Sequence, residues 1–221
     1  NALTGAAESL DASFRTATAP GCVFADLRYE LPWAVENGAS PEACRAFVTG
    51  TVDALVADPP DVVVIAASAD QQVYPLPFQT ADGSFTADVA AKERIWVDGM
   101  TAVVERLQAA GSRVVLIDVV PKPYTVDPRS CSNLALIVDA QRCLPGPFTV
   151  AGIEHLAAAN ALFAEVGDRT GAVVWDFADE ICPGGSCTAL RAGRPVWKDP
   201  VHISGEQSSA LVPRTASLLR P

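Results

Sequence analysis

Two residues in segment 196–204 have the types and spacing of a catalytic pair. Asp199 stands three residues before His202, on what we expect to be a short loop. There the carboxylate can accept the Nδ1 proton of the imidazole, which leaves Nε2 free to act as a general base. An Asp-x-x-His sequence also arises by chance in surface loops, and the spacing alone does not separate the two interpretations. The other histidine, His155, falls within a predicted helix, where a solvated side chain is expected.

The composition excludes several classes of protein. The chain has 221 residues, 49% of them hydrophobic, and 16 basic against 26 acidic residues give a formal net charge of −10. This apolar fraction is far above that of disordered segments, and so acidic a chain lacks the basic surface of a nucleic-acid-binding protein. Its apolar runs are far shorter than the roughly 20 residues that span a bilayer, and no signal segment follows Asn1. We therefore expect one soluble globular domain over residues 1–221, with no metal or cofactor.

The six cysteines indicate the compartment. They lie in three pairs that are local in sequence, although six cysteines permit many other connectivities. Four turn-forming residues between Cys182 and Cys187 make a tight loop that a disulfide closes naturally. The alternative is that all six are reduced thiols in a cytosolic protein. A zinc site is not expected, because the sequence has no Cys-x-x-Cys motif. We predict an oxidising, extracytoplasmic compartment, a targeting signal or anchor outside this chain, and disulfides Cys22–Cys44, Cys131–Cys143 and Cys182–Cys187.

Strands and helices alternate along the chain. Continuous β-branched runs predict strands buried on both faces, as in a parallel sheet, and the helices between them have the length that crossovers require. This pattern indicates an α/β fold with a flavodoxin-like parallel sheet and helices on both faces. The predicted strands are residues 22–27, 62–67, 113–119 and 172–177, the first being the weakest. The predicted helices are residues 2–14, 41–57, 87–110, 149–166 and 204–219, the last with Ser204 as N-cap and an interruption at Pro213.

Four long, proline-rich segments separate these elements. In an open α/β sheet the ligand binds beyond the carboxyl ends of the strands, and three of the segments leave such ends. We expect them to be walls of a site rather than linkers. The segments are residues 26–41, 71–86, 121–148 and 180–200.

The block Asp199-Pro-Val-His202, followed by Ile-Ser-Gly205, resembles the last block of the SGNH (GDSL-like) hydrolase superfamily. Further blocks, in consistent order over roughly residues 20–219, are similar to the SGNH domains fused behind acyltransferase family 3 membrane domains. They are Cys44-Arg45, Asp61-Val-Val-Val-Ile65, Trp96-Val-Asp-Gly-Met100, Arg113-Val-Val-Leu-Ile117, Cys143, the Cys182–Cys187 loop and Val196-Trp-Lys-Asp199.

The resemblance implies acyl-ester chemistry outside the cytoplasm in a three-layer SGNH hydrolase fold. In that family a serine in a Gly-Asp-Ser block is the nucleophile, and here His202 matches the base and Asp199 the residue that orients it. The resemblance also implies a partner membrane domain that delivers an acyl group, expected to be acetyl, and an envelope glycan or glycolipid that accepts it. Hydrolysis by an esterase of the same fold remains an alternative.

The chain departs from the family pattern at the nucleophile. No Gly-Asp-Ser block occurs in the 221 residues, and the strand with which such a fold normally opens is missing ahead of the first predicted helix. We expect the serine and its strand just upstream of Asn1. A catalytically dead relative is the alternative.

A second departure concerns the oxyanion hole. The family's Gly-x-Asn-Asp block should follow the strand at residues 62–67, but Ala69 stands in place of the asparagine. Backbone N–H groups or Ser68 could substitute, because an oxyanion hole needs positioned donors rather than one residue type. Ser68 could equally be a plain turn residue. The family's oxyanion glycine corresponds to Gly21 in this sequence.

A non-catalytic module that binds envelope glycans is the competing interpretation. Such a module would keep the sheet and the loops but would use aromatic side chains as platforms for sugar rings. The candidates are Trp33, Tyr74, Trp96, Trp175 and Trp197.

Overall fold

The computed structural model describes residues 1–30, 40–124, 127–131 and 147–220. It forms two compact units, each assembled from separate stretches of the chain. The first unit comprises Asn1–Thr16, Val120–Glu154 and Phe177–Pro221, and the second comprises Ala17–Val119 and His155–Asp176. Cys143 and Trp33, to which two of the predictions above refer, lie outside the described residues. The single domain over residues 1–221 stays a prediction.

The secondary structure alternates as the sequence predicts. The helices are α1 Ala2–Ser9, α2 Pro41–Ala57, α3 Ala69–Gln72, α4 Val89–Ala109, α5 Leu156–Thr170, α6 Ala178–Ile181, α7 Gly205–Ala210 and α8 Val212–Leu219, with short 3-10 turns at Pro128–Ser130, Val150–Gly152 and Pro183–Gly185. The strands are β1 Val62–Ala66, β2 Phe78–Gln79, β3 Phe85–Thr86, β4 Arg113–Ile117, β5 Phe148–Thr149, β6 Val173–Trp175, β7 Ser186–Cys187, β8 Leu190–Arg191, β9 Arg194–Pro195, β10 Trp197–Asp199 and β11 His202–Ile203.

The second unit is built on a parallel sheet in the order β1-β4-β6. Val62 pairs with Arg113, and Val115 pairs with Val173, so all three strands run in one direction. Val114, Val115 and Leu116 are at most 1% exposed, because strands of a parallel sheet are covered on both faces. Helices flank the sheet on both sides, which confirms the predicted α/β class.

The predicted strand at residues 22–27 is wrong. These residues form an irregular segment that passes close to helix α4, where the Asp26 N–H donates to the Gly99 carbonyl at 3.1 Å. A Cβ atom at Gly99 would lie 2.8 Å from the Asp26 carbonyl oxygen, so glycine is required for this close approach. The apolar residues of the segment are therefore buried against a helix rather than in the sheet.

The predicted helices agree with the structure to different degrees. Helix α2 has the predicted bounds, with Ser40 as its cap, whereas α1 ends at Ser9 instead of continuing to residue 14. The last predicted helix divides at Leu211 into α7 and α8, two residues before Pro213, as expected for a residue that cannot donate inside a helix. Helix α5 begins at Leu156 instead of residue 149, so His155 does not lie within a helix.

Two of the three predicted disulfides are confirmed. Cys22 is bonded to Cys44, and Cys182 to Cys187, with Cα atoms 5.2 and 4.3 Å apart. Cys131 is also disulfide-bonded, while its predicted partner lies outside the described residues.

Removing either confirmed bridge should destabilise the protein, and the longer loop should matter more. The bridge Cys22–Cys44 spans 22 positions and Cys182–Cys187 spans 5. By the chain-entropy relation, the double alanine variants should lose about 3 and about 2 kcal/mol of unfolding free energy, respectively. Urea denaturation of both variants measures the difference. Equal stability of the variants and the wild type would contradict the prediction.

Asp118 and Asp176 directly follow the adjacent strands β4 and β6, so their carboxylates lie at the same edge of the sheet. The Asp118 Oδ1 atom is buried and has no hydrogen-bond partner among the described residues. Burial and, after it, the charge of Asp176 raise the pKa of Asp118 to about 7. The folded protein therefore keeps a proton on Asp118 that the unfolded chain releases at lower pH.

An Asp118→Asn variant should gain stability relative to the wild type as the pH rises. The raised pKa means that the contribution of Asp118 is fully present below pH 4 and is lost as the pH rises towards 7. Because the side chain is partly exposed, we expect a gain of about 1–2 kcal/mol at pH 8 and little change at pH 4. Urea titrations at both pH values test this, with Asp53→Asn on the surface as the control. Equal effects of Asp118→Asn at both pH values would refute it.

Candidate active site

The structure brings Asp199 and His202 together on the hairpin of β10 and β11. The two residues pair across an irregularity in the antiparallel register. Nδ1 of His202 lies 2.8 Å from Oδ1 and 2.9 Å from Oδ2 of Asp199. The imidazole side chain is 68% exposed, whereas the carboxylate is 10% exposed. The carboxylate thus fixes the Nδ1 side of the ring, and Nε2 has no partner among the described residues.

Backbone donors hold the Asp199 carboxylate in place. The N–H groups of Val201 and His202 both donate to Oδ1, at 3.0 and 2.9 Å. Partial burial acts to raise the pKa of Asp199, but these hydrogen bonds and the charge of His202 outweigh it and lower the pKa below its usual value. The carboxylate therefore stays ionised and can stabilise the imidazolium that forms when the base takes a proton.

Neighbouring residues make contacts that anchor the hairpin on both sides. Trp197 is 1% exposed and its ring lies 6.2 Å from that of Phe148. On the other side, the Ser204 N–H donates to the Val196 carbonyl at 2.8 Å, and its hydroxyl accepts from the Gln207 N–H at 3.0 Å. Ser204 is therefore the N-cap of α7, as the sequence predicts. The Ser204 cap and the buried Trp197 ring therefore anchor the backbone on both sides of His202.

The first turn of α1 lies against the first turn of α7. The Asn1 side chain donates to the Gly205 carbonyl at 3.2 Å, and the Ala2 N–H donates to the Ser208 hydroxyl at 3.1 Å. Gly205 follows His202 by three residues, so the start of α1 is a near neighbour of the segment that carries the imidazole. A shallow depression of about 470 Å³ lies between the two turns, lined by Asn1, Arg194, Ser204 and Glu206 among others.

The two oxyanion candidates, Gly21 and Ser68, both belong to the second unit. Gly21 adopts a left-handed conformation at φ 78°, and Ser68 precedes α3 without capping it through its side chain. The Gln72 amide donates to the Cys22 carbonyl at 2.9 Å, so the segments that carry the two candidates lie against each other. Neither the Gly21 N–H nor the Ser68 hydroxyl has a hydrogen-bond partner in the described part of the chain. Their role as oxyanion donors stays a prediction.

Arg129 is a neighbour of the Asp199–His202 pair that sequence reasoning missed. The Pro128–Ser130 turn packs on β10, and Asp127 accepts hydrogen bonds from Arg129 Nε and Nη2 at 2.8 and 2.9 Å. The hydrogen bonds with Asp127 and, more weakly, the charges of Asp127 and Asp199 raise the pKa of the Arg129 guanidinium. Only the tertiary structure reveals this proximity, because the turn and β10 are far apart in the sequence.

Most of the candidate sugar platforms are buried. Trp96, Trp175 and Trp197 are at most 2% exposed, and Trp96 packs edge-on against Phe163 at 5.0 Å in the core. These side chains stabilise the fold and cannot receive a ligand. Among the described candidates, Tyr74 alone reaches the surface.

Comparison with known proteins identifies the family. A family model of the SGNH domain that is fused to AT3 domains matches residues 1–217. The chain belongs to this SGNH family. The SGNH fold and the family that the sequence indicates are therefore confirmed.

The SGNH domain is also similar to a solved structure, the periplasmic domain of a lipopolysaccharide acetyltransferase from Salmonella ser. Paratyphi A. The TM-score is 0.63 at 13% sequence identity, over 99% of this chain and 77% of that one. At this identity the likeness supports the fold. No curated protein matches the chain. Within the described residues, the SGNH domain has no helix that is both long and apolar enough to cross a membrane.

Proposed function

We propose that this SGNH domain transfers an acyl group, with acetyl as the expected one, to a hydroxyl of a cell-envelope glycan or glycolipid. The contact between His202 Nδ1 and both oxygens of Asp199 carries the proposal, because it builds an oriented general base with an exposed Nε2. Membership of the family that is fused to AT3 domains supports acyl transfer as the reaction. The acyl donor would then be delivered by the membrane acyltransferase domain of the same protein.

The reaction would run through a serine ester. The serine Oγ attacks the carbonyl carbon of the donor while His202 Nε2 takes its proton, and Asp199 stabilises the resulting imidazolium. The tetrahedral oxyanion collapses, the leaving group takes the proton from Nε2, and the acyl group remains on serine. The acceptor hydroxyl then gives its proton to Nε2 and attacks this ester, and the serine leaves with the proton from the imidazolium. Attack by water in the second half would make the same site an esterase.

The start of α1 is the proposed location of the nucleophile. Asn1 contacts Gly205 on the segment that carries His202, so a serine immediately preceding α1 would be a near neighbour of the base. The dipole at the start of a helix would also favour a developing oxyanion. We therefore propose that the serine lies just upstream of Asn1.

An extracytoplasmic location completes the proposal. Two confirmed disulfides are typical of proteins that fold in an oxidising compartment. The structural neighbour is a periplasmic domain, which agrees with this location. The domain would be tethered to its membrane by a segment outside residues 1–221.

Trapping of the acyl-enzyme tests the proposal. The purified full-length protein is incubated with p-nitrophenyl acetate, quenched in acid and analysed by intact mass and peptide mapping. We expect one acetyl ester on a serine that precedes residue 1, and none in the His202→Ala variant. An ester within residues 1–221, or no ester in the wild type, would refute the assignment. Adding a sugar acceptor then separates transfer from hydrolysis, because transfer yields an acetylated sugar.

A further inference from the structure

Tyr74 and His155 form a stack of two rings in the second unit. Tyr74 follows α3 and His155 directly precedes α5, and these two helices pack against each other. The ring centroids are 4.0 Å apart and the ring planes differ by 8°. His155 is exposed and Tyr74 is half-buried. We call this pair the ring stack.

Separate contacts hold the tyrosine of the ring stack. Its hydroxyl donates to Glu93 Oε1 at 3.2 Å, and its backbone carbonyl accepts from Lys92 Nζ at 2.8 Å. Lys92 is 2% exposed, so this anchor is buried. Burial and the adjacent Glu93 raise the pKa of Tyr74 to about 12, which keeps the hydroxyl protonated and donating. The tyrosine ring is therefore fixed before any ligand arrives.

The histidine of the ring stack is held at a conformational cost. His155 has φ 61° and ψ −3°, a left-handed conformation that is uncommon outside glycine, although asparagine, aspartate and histidine adopt it more often than other residues. Such conformations persist where the surroundings enforce them and are concentrated at binding sites. Here the conformation places an exposed ring parallel to Tyr74, and the His155 carbonyl begins the hydrogen bonding of α5 by accepting from the Ala159 N–H at 2.8 Å.

The polar groups beside the ring stack suit a neutral ligand with hydroxyl groups. Glu93 uses one oxygen for Tyr74, and its Oε2 has no hydrogen-bond partner in the described part of the chain, so it can accept from a hydroxyl. Lys92 is buried, and its ammonium group donates to the Tyr74 carbonyl, so it is not available to bind an anionic ligand. A pyranose combines a face of weakly positive C–H groups, which suits the negative face of an aromatic ring, with a rim of hydroxyls.

We propose that the ring stack of Tyr74 and His155 is a binding platform for a neutral pyranose ring, with Glu93 accepting a hydrogen bond from one of its hydroxyls. The sugar would lie on the exposed face of His155. The platform extends the proposed function, because it gives the acceptor glycan a place to bind on this chain. It rests on that function only for the choice of glycan, since binding does not require catalysis at His202.

Nuclear magnetic resonance on the full-length protein tests the platform without measuring activity. Residues 1–221 contain two histidines, and the ring resonances of each are assigned with a variant of that residue, so those of His202 serve as an internal reference. The probe is methyl α-D-glucopyranoside, and the control ligand is sorbitol, which offers similar hydroxyls but no ring face. We expect the glucoside to shift the His155 ring resonances with a Kd on the order of 1–10 mM, as is usual for a ligand of this size. Sorbitol should leave them unchanged.

Matched variants separate the effect of the His155 ring on binding from the effect of its backbone conformation. Asparagine tolerates the left-handed conformation, so His155→Asn removes the ring and keeps the fold. We expect His155→Asn and Tyr74→Ala, followed through ligand resonances by saturation transfer, to weaken binding at least about fivefold. Tyr74→Phe, which keeps the ring, should bind within about threefold of the wild type. Phe85→Ala, at an exposed aromatic residue elsewhere, should bind like the wild type.

The results that would overturn the platform are distinct from a failure of acyl transfer. No shift of the His155 resonances with up to about 50 mM glucoside would overturn it, given the affinity expected for a ligand of this size. So would equal shifts with sorbitol, or unchanged binding by both His155→Asn and Tyr74→Ala. A protein that binds the glucoside as expected but forms no acetyl ester would retain the platform and lose the proposed catalysis.

Discussion

Replacing His202 by alanine should remove nearly all acyl-transfer activity, with a fall in kcat of about 10⁵-fold. The imidazole is the group that takes the serine proton in the first half of the proposed reaction and the acceptor proton in the second. Its Nδ1 atom is committed to Asp199, and no other described histidine lies on this hairpin to replace it. Because the side chain is 68% exposed, its loss should leave the melting temperature nearly unchanged.

The measurement is hydrolysis of p-nitrophenyl acetate by the full-length protein, with thermal unfolding in parallel. Lys198→Ala is the matched control, because Lys198 is an exposed residue of the same hairpin, whereas its neighbour Asp199 is buried. The control should keep its activity within about twofold. If His202→Ala retained more than about one tenth of the wild-type kcat, His202 would not be the base.

Asp199→Asn should cost about 10³–10⁴-fold in kcat while leaving the fold intact. An asparagine oxygen can still accept from the Val201 and His202 N–H groups, since both of them donate to Oδ1. Its amide group, however, would donate to Nδ1 of the imidazole and favour the tautomer whose proton is on Nε2. That tautomer cannot take a proton from serine, and the neutral amide cannot stabilise the imidazolium.

The same ester assay measures the effect, together with urea denaturation. Asp53→Asn, at an exposed residue paired with Arg106, makes the same chemical change far from the hairpin in sequence and should be silent. A fall in kcat without a matching rise in KM would show that Asp199 acts on the chemical step rather than on binding. If activity fell only in proportion to lost folded protein, Asp199 would have a structural role alone.

The helices and strands that could be predicted from the sequence are those whose local residue pattern matches their burial in the structure. Residues 62–66 and 113–117 are continuous apolar runs, and a strand buried on both faces is the one arrangement in which such runs avoid water. Helix α2 has a serine cap, a proline in its first turn and a periodic apolar face, and its bounds follow from these local signals. Asp199 and His202 are three residues apart, so their contact is also local.

Tertiary contacts decided the remainder. Residues 22–27 have the composition of a strand, yet they lie against α4 because Gly99 permits a close backbone approach that no local pattern records. The sequence pattern predicts that His155 lies within a helix. In the structure it contacts Tyr74, has a left-handed backbone conformation and directly precedes α5. The sequence by itself determined the parallel sheet and the Asp–His pair, because each depends on neighbours in the chain or on burial of a continuous run. It predicted the disulfide pairs Cys22–Cys44 and Cys182–Cys187, but six cysteines permit other connectivities, and the structure decided between them. Only the tertiary structure decided that Arg129 lies beside Asp199, that the first turn of α1 packs against the first turn of α7, and that the rings of Tyr74 and His155 stack. These contacts join residues that are far apart in the sequence, and no local pattern indicates that they are close in space.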